Sequence, residues 1–134
     1  MKRFIIYGLL GWCLEVIWTG LGSLLSGDVR LTAKTYLWMF PIYGLVILFE
    51  PVHDAIRFWP VWQRGLIWML LCFTVEYLTG WMLQSMLGTA PWDYSQAVLN
   101  IHGLIRLDYA PAWFGAGLLF EKVHDWLDGV RIFR

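Results

Sequence analysis

Charge is what this sequence has least of. Only 15% of its 134 residues are Asp, Glu, Lys or Arg, ten of each sign, and the formal net charge is zero. An average globular chain carries roughly 25%. No basic run occurs, which excludes a nucleic-acid-binding surface, and a 59% hydrophobic chain lies far from the polar composition of disordered segments. Cysteine is scarce as well. Cys13 and Cys72 both fall inside apolar runs and form no C-x-x-C or metal-ligand spacing, so they read as small buried hydrophobes. A phosphate-binding G-x-x-x-x-G-K loop is missing, so any ATP-driven activity needs a separate ATPase subunit. No nucleophile–base pair or metal set is visible, and neither enzymatic activity nor a cofactor is expected. Lys2-Arg3 before an apolar stretch imitates a secretory signal. Glu15 interrupts that stretch and no small-x-small cleavage site follows, so a retained first helix is expected.

What is abundant is apolar and aromatic: 18% Phe, Trp and Tyr, with ten tryptophans. This composition predicts one integral membrane domain over residues 1–134, with the lipid bilayer as its first partner. The run from Phe4 to Leu25 is long enough to cross a bilayer at ~1.5 Å per residue. Glu15 stands in its middle, with eleven residues of the run before it and ten after. Holding an ionised acid at that depth costs roughly 2.5–3.5 kcal/mol even on lenient insertion scales. Glu76 repeats the placement inside a second run, Leu66 to Leu87, with ten residues before it and eleven after.

A second segment runs from about Tyr36 to Phe49 and on towards Ile56. Its Pro41-Ile42-Tyr43-Gly44 predicts a kink or a broken turn. Residues His53 to Arg64 form the next turn, with Trp59 and Trp62 at headgroup level. The third segment starts near Val61 or Leu66, and the fourth runs from about Tyr109 to Phe120 with an amphipathic end to Leu127. Between them lies the longest non-spanning stretch, Gly88 to Asp108. An internal repeat connects these parts. Leu48-Phe49-Glu50-Pro51-Val52-His53-Asp54 recurs as Leu119-Phe120-Glu121-Lys122-Val123-His124-Asp125 at an offset of 71. Pro41 and Gly44 match Pro111 and Gly115 at 70 and 71, and Glu15 and Gly27 match Glu76 and Gly88 at 61.

The fold expected is therefore all-α and membrane-embedded. Four transmembrane helices form two parallel two-helix repeats, about 4–56 and 62–127, with a short helix or re-entrant segment between helices 3 and 4. Seven basic residues (Lys2, Arg3, Arg57, Arg64, Lys122, Arg131 and Arg134) lie on the side of the termini, against Arg30, Lys34 and Arg106 on the other. That asymmetry predicts a multi-pass protein of the cell membrane with both termini cytoplasmic.

Two carboxylates at one depth in a low-dielectric site cannot both ionise easily, so such a pair holds a proton or binds a cation in its place. Aromatic faces near the glutamates, Trp12, Trp18, Tyr77 and Trp81, favour organic cations. The candidate substrate-binding set is Glu15, Glu76, Trp12, Trp18, Tyr43, Asp93, Tyr94 and Asn100. Asp93 and Asn100 belong to a stretch read as a turn capping a short helix from Ser95 to Ile105, or as a lid over the glutamates. His53 and His124, each followed by Asp, read as polar residues at helix ends. The expected function is a small permease or channel-like transport protein for a small cationic solute or a proton, alone, as a homo-oligomer or with an ATPase subunit. The alternative is a non-transporting accessory or scaffold subunit whose polar residues lock helix register.

Gly11-Trp12-Cys13-Leu14-Glu15-Val16, Pro41-Ile42-Tyr43-Gly44, Glu76-Tyr77-Leu78-Thr79-Gly80, Pro91-Trp92-Asp93-Tyr94-Ser95-Gln96 and Gly103-Leu104-Ile105-Arg106-Leu107-Asp108-Tyr109 together resemble the transmembrane protein 229 family. Bacterial relatives in that superfamily carry the label putative ABC-transporter permease of type IV. The resemblance covers roughly Phe4 to Glu121, and it implies a multi-pass membrane protein and transport.

Overall fold

Apolar side chains surround the first helix on every side. In the computed structural model, α1 (Lys2–Leu25) leaves Leu9, Leu10, Ile17, Trp18 and Leu21 exposed around its circumference. A helix apolar all round is one that needs an apolar environment beyond its own fold. The structure describes residues 1–130; Arg131 and Arg134, counted above towards a cytoplasmic C-terminus, lie outside the described residues. The described chain is mostly helical. After α1 come α2 (Met39–Gly44), a 3-10 turn (Leu45–Phe49), α3 (Glu50–Ile56) and α4 (Val61–Leu87). A small hairpin of β1 (Asn100–Ile101) and β2 (Ile105–Arg106), a second 3-10 turn (Leu107–Tyr109) and α5 (Ala110–Gly129) complete it. Among the described residues, Lys2–Leu25, Met39–Ile56 and Val61–Leu87 are helical, long and apolar enough to cross a membrane. Helix α5, expected as a fourth span, carries Glu121, Lys122, His124, Asp125 and Asp128 in its second half.

The chain divides into two compact units, the first ending at Phe49 and the second starting at Glu50. In the first, α1 packs on α2 and its 3-10 continuation. Gly11 makes room for the approach: a Cβ there would run into the ring of Tyr43. The break expected around Pro41–Gly44 takes the form of the 3-10 turn that starts directly after Gly44. In the loop after α1, the Thr32 hydroxyl and then the Arg30 amide hold the Asp28 carboxyl below its ordinary range.

In the second unit α4 and α5 pack together around Trp68, Phe120 and Leu127, the first and last of which are fully enclosed. Helix α4 ends at Gly88, whose φ of 77° is the left-handed conformation that closes a helix without a Cβ penalty. The chain then makes its excursion to α5. The short helix expected over Ser95–Ile105 is instead the antiparallel hairpin, pairing Asn100 with Arg106 and Ile101 with Ile105. Side chains there take the backbone groups a helix would need. Asp93 accepts the Ser95 N–H (2.8 Å) and hydroxyl (3.0 Å), and Asn100 donates to the Ala97 carbonyl (2.7 Å) and accepts the Gly103 N–H (3.0 Å). Short polar side chains compete with helix in this way. The turn at His102 and Gly103, both at positive φ, closes the hairpin, and the buried Trp92 indole donates to the Leu104 carbonyl at 2.9 Å.

Candidate functional site

The second unit contains two charged centres. The first is Glu76, midway along α4 and only 7% exposed. Tyr94 of the excursion donates its hydroxyl to Oε1 at 3.0 Å, and Trp113 of α5 donates its indole N–H to Oε2 at 3.2 Å. One carboxylate thus ties α4 to the segment that follows it and to the helix after that. Tyr94 is itself held from behind. Its ring meets Tyr109 edge-on at 5.9 Å, and the Arg106 guanidinium lies over Tyr109 at 4.4 Å while gripping Asp108. That grip keeps the Asp108 carboxyl below its ordinary range. Thr79, one turn beyond Glu76, returns its hydroxyl to the Val75 carbonyl.

The second centre joins the two copies of the repeated Glu-x-x-His-Asp motif, which face each other from α3 and α5. His53 sets Nε2 3.2 Å from Asp125 and Nδ1 3.7 Å from Glu121. His124 does the same in return, with Nδ1 3.3 Å from Glu50 and Nε2 3.6 Å from Asp54 and 3.4 Å from Asp128. Each imidazole of one copy therefore sits between carboxylates of the other. Arg64, at the start of α4, grips Glu121 with two N–H groups at 2.9 and 3.0 Å and caps the Arg57 and Trp59 carbonyls. Trp68 adds an indole bond to Glu121 at 2.7 Å. Arg57 bonds Asp125 at 2.9 Å. Such paired and hydrogen-bonded geometry is what allows charges to be buried. Among the described residues no group of His, Cys, Asp and Glu is arranged to hold a metal ion.

The remaining sequence candidates are scattered. Glu15, in the first unit, accepts the Thr35 hydroxyl at 2.8 Å. Trp12 packs edge-on against Phe40, and its indole nitrogen is buried without a hydrogen bond. Trp18 is exposed, and Tyr43 covers Gly11. Tyr77 bonds His102 Nδ1 at 2.8 Å. Asp93 and Asn100 serve the hairpin, with no hydrogen bond to Glu76, and Ser95 keeps the Asp93 carboxyl below its ordinary range. The structure therefore brings Tyr94 to Glu76 and sends Asp93 and Asn100 elsewhere.

Sequence reasoning missed Trp113, Thr35 and the histidine centre. The signal for the last was in hand, since the repeated Glu-x-x-His-Asp placed like residues at like positions. What it lacked was a reason for the two copies to meet.

No solved structure matches the chain. A family model does, over residues 3–130, and that match spans both glutamates, the excursion and both motif copies. With three helices apolar enough to cross a membrane, the match identifies a membrane transport-related protein. The chain belongs to the family described as Putative ABC-transporter type IV.

Proposed function

We propose that the chain is the membrane-embedded part of a transport system for a small cation or a proton, with Glu76, and Glu15 in the first span, as the charge-bearing groups. The observation that carries this reading is the burial of Glu76 at the middle of an apolar helix with Tyr94 and Trp113 as donors. A carboxylate at that depth is costly and marks a pathway or relay by default. A proton or cation arriving at Glu76 changes what Tyr94 can donate to, which couples occupancy of the site to the excursion after α4. In this reading α5 is the fourth span of two parallel repeats, both termini are cytoplasmic, and an ATPase subunit or a second copy completes the system. Cysteines placed at Ser95 and Gly129 should then label from opposite faces.

The test is a binding series with candidate cations across pH, in nanodiscs, on the wild type, Glu15→Gln and Glu76→Gln. Gln preserves shape and most hydrogen bonding while removing charge. Loss of binding with a retained melting temperature supports the reading; binding that survives both substitutions sinks it. A second reading, a scaffold subunit, is favoured by the ion pairs that clamp α3, α4 and α5. It predicts that Gln is tolerated in function and that Ala at either glutamate destabilises the fold.

A further inference from the structure

Beside the paired histidines the second unit opens into a cleft of about 410 Å³. Ligand sites of a few hundred cubic ångströms are common. Three strong cations line it, Arg57, Arg64 and Lys122, against two carboxylates, Glu121 and Asp125. Both acids are already engaged. Glu121 takes two N–H groups of Arg64 and the Trp68 indole, and Asp125 takes Arg57 and faces His53. Within the lining the cations outnumber the carboxylates by one, and Asp54, outside it, faces Arg57 at 3.8 Å. Among the described residues, Arg57 commits Nη2 to Asp125 and Asp54, and Lys122 is exposed without a hydrogen bond or ion pair. Below them lies His53, 3% exposed, whose Nδ1 is buried without a hydrogen bond. Phe58 also lines the cleft and is 92% exposed, and Trp59 and Trp62, both exposed, follow it in the chain.

We propose that this cleft binds a phosphate-bearing anion, the headgroup of an anionic phospholipid. Lys and Arg supply the charge, and the exposed run of Phe58, Trp59 and Trp62 beside them fits the level where Trp-rich belts meet headgroups. Basic pockets beside membrane helices take anionic headgroups by this chemistry. The proposal is independent of which solute the chain moves and of any role of Glu76.

The experiment uses the full chain in phosphatidylcholine nanodiscs, with phosphatidylglycerol or inorganic phosphate as the added probe. Thermal melts and native mass spectrometry read the binding. A ligand that binds only the folded state raises the melting temperature. Phosphatidylglycerol should stabilise the wild type and remain bound in the gas phase. Lys122→Gln, which breaks no hydrogen bond or ion pair among the described residues, should weaken that binding several-fold, and Lys122→Gln with Arg57→Gln at least tenfold. Lys34→Gln, in the loop after α1, should leave it unchanged. Protection by inorganic phosphate that is lost in the same variants assigns the site to a soluble phosphate rather than to lipid, and keeps the phosphate chemistry. Binding that is equal with phosphatidylcholine alone, or undiminished in the double variant, overturns the proposal.

Discussion

His53 and His124 stand edge to face, with ring centroids 5.2 Å apart and planes at 87°. They are 71 residues apart in the chain, which is the offset of the repeated motif, so equivalent residues of the two copies meet in space. Each ring has a carboxylate oxygen within 4 Å of both nitrogens. A neutral imidazole has one donor and one lone pair, so either tautomer turns its lone pair towards an acid. Arg57 and Arg64 supply the fixed positive charge that makes such crowding tolerable.

The first prediction concerns that compensation. Arg64→Met removes the guanidinium from Glu121, whose side chain is only 5% exposed. Leaving a buried charge unpaired costs about 3–5 kcal/mol. The melting temperature should fall sharply, and adding Glu121→Leu should restore most of it. A double variant no more stable than Arg64→Met alone would show that the pair does not act as a unit.

Tyr94→Phe deletes the hydroxyl that reaches Glu76 and nothing else. Hydrogen bonds to charged groups are worth about 1.5–3 kcal/mol, and Trp113 remains as a donor, so the lower end of that range is expected. Hydrogen exchange should quicken in the hairpin between α4 and α5 more than in α3. An unchanged melt and unchanged exchange would mean that the Tyr94 bond contributes nothing in the bilayer.

Two glycines of α5 make a controlled pair. A Cβ on Gly117 would meet the Cβ and ring of Trp68, whereas one on Gly115 meets nothing within 4 Å. Overpacking of this kind costs about 1–3 kcal/mol. Gly117→Ala should therefore destabilise the second unit and shift Trp68 fluorescence. Gly115→Ala should be neutral or slightly stabilising, because alanine is the better helix former. Equal melts for the two variants would contradict the close packing of α4 on α5.

The fourth prediction is a pH dependence of the hairpin. The Asp93 carboxyl is held below its ordinary range by the Ser95 amide and hydroxyl. A depressed folded value means that the unfolded chain binds the proton more readily. The contribution is complete above the unfolded value of about 3.9 and is lost as pH falls through the folded one. Exchange protection of the Ser95 amide should be flat from neutral pH to about 5 and decline below it. Asp93→Asn should remove that step. A decline that persists in Asp93→Asn would assign it to another carboxylate.

Apolar runs are local, and so the spans could be read from the chain: α1 and α4 start and stop within a few residues of the runs around Glu15 and Glu76. The break after Gly44 was legible for the same reason, because proline and glycine act on their own turn. The excursion was misread because helix and hairpin compete there on equal local terms. Asp93, Ser95 and Asn100 suit a cap as well as a turn, and contacts such as the Trp92 indole reaching Leu104 twelve residues on are not local.

The sequence alone determined that the chain carries helices long and apolar enough to cross a membrane, because composition and run length do not depend on how helices pack. It also determined that two glutamates stand midway along apolar runs and that Glu-x-x-His-Asp occurs twice. Which groups answer those charges was decided only in three dimensions. Trp113 reaches Glu76 from 37 residues away, Arg64 reaches Glu121 from 57, and His53 reaches Asp125 from 72. No periodicity encodes such distances. A buried charge fixes that it must have a partner, whereas the partner's identity follows from which helix faces close packing brings within hydrogen-bond reach.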